Sequence, residues 1–354
     1  MPQCFSVIRS AGAAALGLAV AGCAGGAGSL APPGGAMQAA SRFSPQSHVG
    51  RARPALTSVE YFNGIPSGAE PRGVAKGPGG IWFTEFGTTQ IGRIATNGTV
   101  TQFSLLPTST TPNNIVEGPD HNMWFTETGS DVVGRITSKG KVTEFSAGNE
   151  AYGPWDIVAG PDGNLWFTYR SPSTDAIGRI TTAGVVTLFT NGLSPGDPAV
   201  HDIAAGPDGN IWFTEEFGNR IGRCTTSGTI TEFSSGITQN AGLVDIASGP
   251  DGDLWFTEYN ANQIGRITPS GTVTEFSSGI SSGAEPGSIT SAKGYVWFTE
   301  EGSNPASIGR VSKNGTITEF GVDGALNVDL VAGPPSSDLW LTDYSGNGIV
   351  QVTE

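Results

Sequence analysis

From about residue 58 onward, apolar residues come in short bursts separated by turns rich in Gly, Pro, Asn and Asp. Bursts of this length, rich in Ile, Val, Phe, Trp and Thr, read as β-strands rather than helices. Trp-Phe-Thr recurs at Trp82, Trp124, Trp166, Trp212, Trp255 and Trp297, and a seventh copy reads Trp340-Leu341-Thr342. The intervals are 42, 42, 46, 43, 42 and 43 residues. An Ile-Gly-Arg-Ile element surrounds Arg93, Arg135, Arg179, Arg223, Arg266 and Arg310, and a Thr-Val-Thr-Glu-Phe element ends at Phe103, Phe145, Phe189, Phe233, Phe276 and Phe320. Four strand-like runs per unit of a little over forty residues predict the blades of a β-propeller.

One unit shows the pattern. Strand A runs over 200–205, strand B over 210–215, strand C over 221–225 and strand D over 229–233. Gly206-Pro207-Asp208-Gly209 links A to B, and Ser227-Gly228 between C and D reads as a two-residue hairpin. The seventh unit stops after a third run, at 348–353, while Ser58-Val59-Glu60-Tyr61-Phe62 stands unused upstream. That strand is expected to complete the last blade and cover its open edge. The reading is all-β: a seven-bladed propeller of four-stranded blades over 58–354, closed by strand 58–62.

The first residues differ in kind. One basic residue, Arg9, precedes an apolar run over 11–21, too short to span a bilayer but suited to a secretory leader. Val20-Ala21-Gly22-Cys23 resembles a bacterial lipobox, which implies a lipoprotein signal over 1–22 with Cys23 lipidated. A plain secretory cleavage is the alternative. Residues 23–57, with Gly25-Gly26 and Pro32-Pro33-Gly34-Gly35, read as a flexible tether. Both readings place the protein outside the cytoplasm, in a bacterial envelope (the outer membrane if Gram-negative) or secreted.

Composition narrows the function. The chain of 354 residues has 18 basic and 32 acidic residues and a formal net charge of −14. Such a polyanion repels nucleic acid and anionic lipid heads, so membrane contact is expected only through the lipid anchor. A monomer is expected. Three Cys rule out a disulfide framework, and Cys224, where other units carry Ile or Val, reads as a small buried hydrophobe.

Register arithmetic sorts the repeated polar residues. Centred on Ser227-Gly228, Arg223 faces Glu232. The same midpoint pairs Arg135 with Glu144, Arg266 with Glu275 and Arg310 with Glu319, and sets Arg93 against Gln102 and Arg179 against Leu188. These read as outer ion pairs. The seven repeated Trp read as packing between blades. Asp156, Asp202 and Asp245 fall opposite Thr168, Thr214 and Thr257, which suggests buried Asp–Thr hydrogen bonds.

One strand-A position breaks the monotony. In blade order it holds Arg72, Asn113, Trp155, His201, Val244, Gly287 and Val328. Its midpoint partners end strand B: Glu85, Glu127, Tyr169, Glu215, Glu258, Glu300 and Asp343. Strand A is innermost in a propeller, so both rings are expected at one mouth of the central channel, where a small or peptide-like ligand would bind. Six converging carboxylates would there require a cation, a basic ligand or raised pKa values. The bland alternative is a solvated rim.

The copies of Gly-Pro-Asp-Gly-Asn-Leu-Trp-Phe-Thr-Glu, then Asn-x-Ile-Gly-Arg-Ile and Thr-Glu-Phe, resemble the virginiamycin B lyase (streptogramin lyase) family across 58–354. The resemblance implies a carbon–oxygen lyase that opens a cyclic depsipeptide at its ester by Mg²⁺-dependent elimination, a base removing the Cα proton. It further implies a His at the variable slot in two successive late blades, the second as Glu-Pro-His followed by a Glu ending strand B. Here Glu285 and Glu300 match, but the slots hold Val244 and Gly287, and the imidazole present, His201, lies one blade early. The expectation is a ligand- or cation-binding lipoprotein without the family's histidines. Arg72, Asn113, Trp155, His201, Tyr169, Glu215 and Glu258 are the candidate binding residues. Glu285, Glu300 and His201 are the catalytic candidates, with Glu285 and Glu300 as ligands for Mg²⁺ or Ca²⁺. The alternatives are a lyase with a rearranged base and, by fold analogy alone, a metal-dependent lactonase.

Overall fold

The structure is a computed structural model that describes residues 54–353 apart from 55, 62, 106–110, 149–151, 173–174, 197–198, 304–305, 323–326 and 334–337. The signal segment, Cys23 and most of the tether lie outside the described residues. Twenty-eight strands form seven four-stranded antiparallel sheets, with no helix among the described residues. In six sheets the strands follow chain order. The seventh is ordered Thr57–Tyr61, Gly348–Thr353, Asp338–Asp343, Asn327–Gly333, so the upstream strand closes the ring as its outermost member. Thr57 pairs with Thr353 and Tyr61 with Ile349, and the Tyr61 hydroxyl donates to Gln351 Oε1 at 2.8 Å. Strand A of each blade lies against strand A of the next, blade 7 against blade 1 included.

In blade 4 strands A to D span Val200–Ala205, Ile211–Glu215, Arg220–Cys224 and Ile230–Phe233. The C–D turn differs from the two-residue hairpin expected. Thr225 N–H donates to Thr229 O at 2.9 Å and Gly228 N–H to Thr225 O at 2.8 Å, so three residues, 226–228, make the loop. Gly228 takes φ +94°, the left-handed position such a loop requires. The added loop residue moves every C–D partner by one. Arg223 faces Thr231 rather than Glu232, and likewise Arg93 faces Thr101, Arg135 Thr143, Arg179 Thr187, Arg266 Thr274 and Arg310 Thr318. The expected Arg–Glu ladder pairs are not formed. Instead Arg223 lies 5.5 Å over both the Trp212 and Phe233 rings and donates to the carbonyl of Pro269 in the next blade at 2.9 Å. Cation–π contact plus a bond across the seam explains why the residue recurs.

The Trp residues pack between blades, as their spacing implies. Trp166 of blade 3 shares a buried cluster with Ile211, Phe213 and Cys224 of blade 4, and Trp340 of blade 7 one with Val74 and Phe83 of blade 1. Trp124, Trp166, Trp212 and Trp255 each donate the indole N–H to the Asp of their own A–B turn, at 2.9 to 3.0 Å. Cys224 is fully buried, and that burial pushes its thiol up to about 12, an inert packing group.

Candidate functional site

The innermost strand holds an irregularity invisible to midpoint arithmetic. In every blade the A–B register slips at the variable slot: Val200 pairs with Glu215, but Ile203 pairs with Phe213. The same bulge follows Pro71, Pro112, Pro154, Leu243, Pro286 and Asn327. Each bulge lifts the slot residue and its successor out of the ladder. A strand-B Thr hydroxyl takes the missing place. Thr214 Oγ1 accepts the Asp202 N–H at 3.0 Å and donates to the Val244 carbonyl of the next blade at 2.9 Å. Thr84, Thr168 and Thr342 repeat this stitch.

The Asp–Thr contacts therefore run through the Asp backbone, not the carboxylate. The carboxylates cross to the next blade: Asp156 Oδ2 accepts Ile203 N–H at 3.0 Å, Asp245 Oδ2 accepts Ile289 N–H at 2.8 Å and Asp329 Oδ2 accepts Val74 N–H at 2.8 Å. Burial first, and then the neighbouring Asp, raises the pKa of Asp156, Asp202 and Asp245, and burial raises that of Asp329.

The bulge also displaces the second expected ring. Glu85, Glu127, Glu215, Glu258, Glu300 and Asp343 pair with the residue before the slot, are only 0–3% exposed and turn toward their own B–C loops. Glu85 accepts from Thr88 at 2.6 Å, Glu258 from Gln263 at 2.7 Å, and Glu300 from Ser303 at 3.1 Å and from Ser307. Tyr169 is equally buried, its ring edge-on to Phe167. These residues do not line the mouth beside the slot. Burial, and for the first two the nearby Glu144 and Glu232, pushes Glu127 and Glu215 up to about 8. Burial does the same to Glu258 despite the lowering bond from Gln263.

Within a blade, the contacts to the slot come from the next residue along, Phe86, Arg170 and Glu301, in a ring of half-buried positions completed by Thr128, Glu216, Tyr259 and Tyr344. The N–H groups of Phe86, Glu216, Tyr259 and Glu301 bond the carbonyls of Glu70, Ala199, Gly242 and Glu285. Arg72 lies 4.0 Å over the Phe86 ring and Arg170 5.0 Å over the Trp155 ring. Sequence reasoning missed this ring. Its own blade-to-blade variation, the signal that singled out the slot, could have found it.

The slot side chains link around the mouth. Arg72 Nη1 donates to Asn113 Oδ1 and Asn113 Nδ2 to the Trp155 carbonyl, both at 2.8 Å. The Trp155 and His201 rings meet at 5.6 Å, and His201 Nδ1 lies 3.0 Å from the Val244 carbonyl. Burial first, then the Arg170 charge, lowers His201 to about 4. The imidazole is neutral at pH 7, Nδ1 must carry the proton because a carbonyl only accepts, and Nε2 makes no hydrogen bond among the described residues.

Blades 1 and 6 carry the same Glu-Pro step. Glu70 and Glu285 take φ +50° and +52°, unusual for residues with a Cβ. Their N–H groups bond Asn347 and Asn262, and their carboxylates accept from the Tyr344 and Tyr259 hydroxyls at 2.8 and 2.7 Å, all from the preceding blade. The blades part at the slot. Arg72 stacks on Phe86, whereas a Cβ on Gly287 would lie 2.3 Å from Glu301 Oε1. Glu285 and Glu300 thus bond different partners, and no three His, Cys, Asp or Glu side chains among the described residues converge as metal ligands.

Comparison with known proteins places this architecture. The sequence profile of the virginiamycin B lyase family matches residues 57–328. A virginiamycin B lyase from Staphylococcus aureus is 33% identical, with a TM-score of 0.76 over 84% of this chain and 99% of its own. A catalytically inactive His-to-Ala variant of that enzyme with quinupristin is 32% identical, with the same TM-score and coverage. A streptogramin B lyase is 29% identical, with a TM-score of 0.75 over 84% and 97% of the two chains. No curated protein matches.

Proposed function

The chain belongs to the virginiamycin B lyase family, and from that premise we propose that it is a ligand-binding propeller that retains the scaffold without the family's proton-transfer histidines. The observation that carries this reading is the occupancy of the two slots. Val244 and Gly287 have no group that moves a proton, and the Glu301 carboxylate fills the space a side chain at 287 would enter. The mouth formed by Arg72, Asn113, Trp155 and His201 with the facing Arg170 and Glu301 is then the binding surface, for a small or peptide-like ligand. The leader and Cys23 add the proposal that the propeller works outside the cytoplasm, tethered by a lipid or secreted.

One observation favours a second reading, a lyase with a relocated base. His201 is neutral, its tautomer is set by the Val244 carbonyl and its Nε2 lacks a partner, the state a general base requires. Mg²⁺ would supply enolate stabilisation when bound. Glu285 and Glu300, each bonded to protein hydroxyls, do not form a shared cage for it, so the metal enters only as a component of the test. Mass spectrometry of quinupristin incubated with the protein and Mg²⁺ is expected to show no linear product above the protein-free control. Mg²⁺-dependent ring opening that disappears in His201→Ala would establish the second reading instead.

A further inference from the structure

Most arginines of the propeller are visibly engaged. Arg93, Arg135, Arg179, Arg223 and Arg266 donate to carbonyls of the following blade, and Arg220 reaches Glu215 and Glu232 at 3.4 and 3.6 Å. Arg170 is different. Half-buried and stacked 5.0 Å over Trp155, its guanidinium makes no hydrogen bond or ion pair among the described residues. That is notable in a chain whose acidic residues outnumber its basic ones 32 to 18. Trp155 is unsatisfied too. The indole N–H groups of Trp82, Trp124, Trp166, Trp212, Trp255 and Trp297 each have an acceptor, while that of Trp155 has none among the described residues.

We infer that the mouth takes a ligand bearing an oxyanion, received by the Arg170 guanidinium and the Trp155 indole N–H, with His201 Nε2 beside them as an acceptor for a ligand N–H or O–H. The inference rests on the reading of the mouth as a ligand site and names the chemistry of what enters it. A planar guanidinium fork matches a carboxylate in two parallel bonds, and stacking on an aromatic face holds it in place before the ligand arrives. Blade 6 offers nothing equivalent to an anion, because Gly287 is bare and the Glu285 and Glu301 carboxylates lie there, and the Arg72 guanidinium of blade 1 is already bonded to Asn113. A ligand with an acidic end and a peptide-like or aromatic body would therefore enter with its anion toward blades 3 and 4.

The test is isothermal titration of the full chain with N-acetyl-L-phenylalanine, with its uncharged amide, and with inorganic phosphate as competitor. The acid is expected to bind and the amide at least tenfold more weakly. Arg170→Met should weaken the acid about tenfold or more, and Lys139→Met, on an exposed outer turn, should not change it. Phosphate that displaces the acid identifies a free anion as the recognised group, while failure to displace it identifies an organic carboxylate; both sustain an oxyanion site. Equal binding of acid and amide, no binding of either, or an unchanged Arg170→Met overturns the inference. Equal binding that Trp155→Ala abolishes would still leave the mouth as a ligand site. Acid binding that survives Trp155→Ala would move the site elsewhere and remove the reading beneath it.

Discussion

Two rings of side chains sit one residue apart along strand B, and they have opposite fates. Glu85, Glu127, Glu215, Glu258, Glu300 and Asp343 are sealed within the blades and bonded to their own turns. Phe86, Thr128, Arg170, Glu216, Tyr259, Glu301 and Tyr344 are half-open, and Phe86, Arg170 and Glu301 meet the slot residues of their blades. The first ring is nearly uniform and the second varied. The bulge in strand A accompanies the partition, since beyond it the pairing shifts by one position and the uniform ring pairs with the residue before the slot. The contrast teaches that uniform acidic residues in a repeat can belong to the scaffold, while the neighbours that change stay partly open at the surface.

The largest effect should come from the sealed ring. Glu127, Glu215 and Glu258 hold folded pKa values of about 8 against 4.5 for the ordinary group, so the folded state binds protons more tightly than the unfolded one. Their contribution is complete below pH 4.5 and is lost as pH rises through about 8. Unfolding free energy from urea titrations is expected to be higher at pH 6 than at pH 8.5 by about 2 kcal/mol or more, at about 1.4 kcal/mol per realised pKa unit. The triple variant Glu127→Gln/Glu215→Gln/Glu258→Gln should flatten that slope. His201 acts in the opposite sense below about pH 6, because its lowered pKa favours the unfolded state there. A flat profile in the parent would mean that the sealed ring is wetter than its burial indicates.

Next in size is the hinge between the rings. Thr214→Val removes the acceptor of the buried Asp202 N–H and the donor to the Val244 carbonyl, and should cost about 1–3 kcal/mol in urea unfolding. Thr84→Val, the same stitch in blade 1, should cost a similar amount. A smaller loss, about 1 kcal/mol, is expected for Tyr259→Phe, which strips the hydroxyl from Glu285. Tyr344→Phe should match it through Glu70, and unequal losses would break the equivalence of blades 1 and 6. Smallest of all, Arg170→Met should alter stability by no more than about 0.5 kcal/mol. A loss as large as that of Thr214→Val would transfer Arg170 from the binding surface to the scaffold.

Blade number, ring closure and strand limits were legible because each follows from a motif repeated at fixed intervals. Strand A of blade 4 occurs as read, and the closing strand begins at Thr57, one residue early. The slot was legible through its variability. Two errors had local causes. Ser227-Gly228 fits a two-residue turn as well as the final pair of a three-residue loop, and only the backbone bonds from Thr225 and Gly228 distinguish them. The strand-A bulge is supported by a side chain, Thr214 in blade 4, that substitutes for a ladder bond, and hydrophobic alternation does not register a hydroxyl used in that way. One misplaced residue at each site exchanged Thr231 for Glu232 and Phe86 for Glu85.

The seam between Thr57–Tyr61 and Gly348–Thr353 sets the order in which the molecule can be assembled. Tyr61 and Gln351 stand 290 positions apart, so bringing them together from an open chain has a loop-closure entropy cost of about 5 kcal/mol, from (3/2)RT ln n. Within a blade, by contrast, partners meet through turns of a few residues. The hairpins can therefore form as they are synthesised, while the circle waits for its seam and keeps one edge of blade 7 available to other chains until then. A circular permutant of residues 57–354 opened at the Gly163 turn, where an added Cβ would meet nothing, would convert the seam into a short covalent hairpin and transfer the long closure to the pairing of strands A and B within blade 3. Its refolding rate, set beside an unchanged final stability, would isolate how much of the folding time of this ring is spent waiting at the seam.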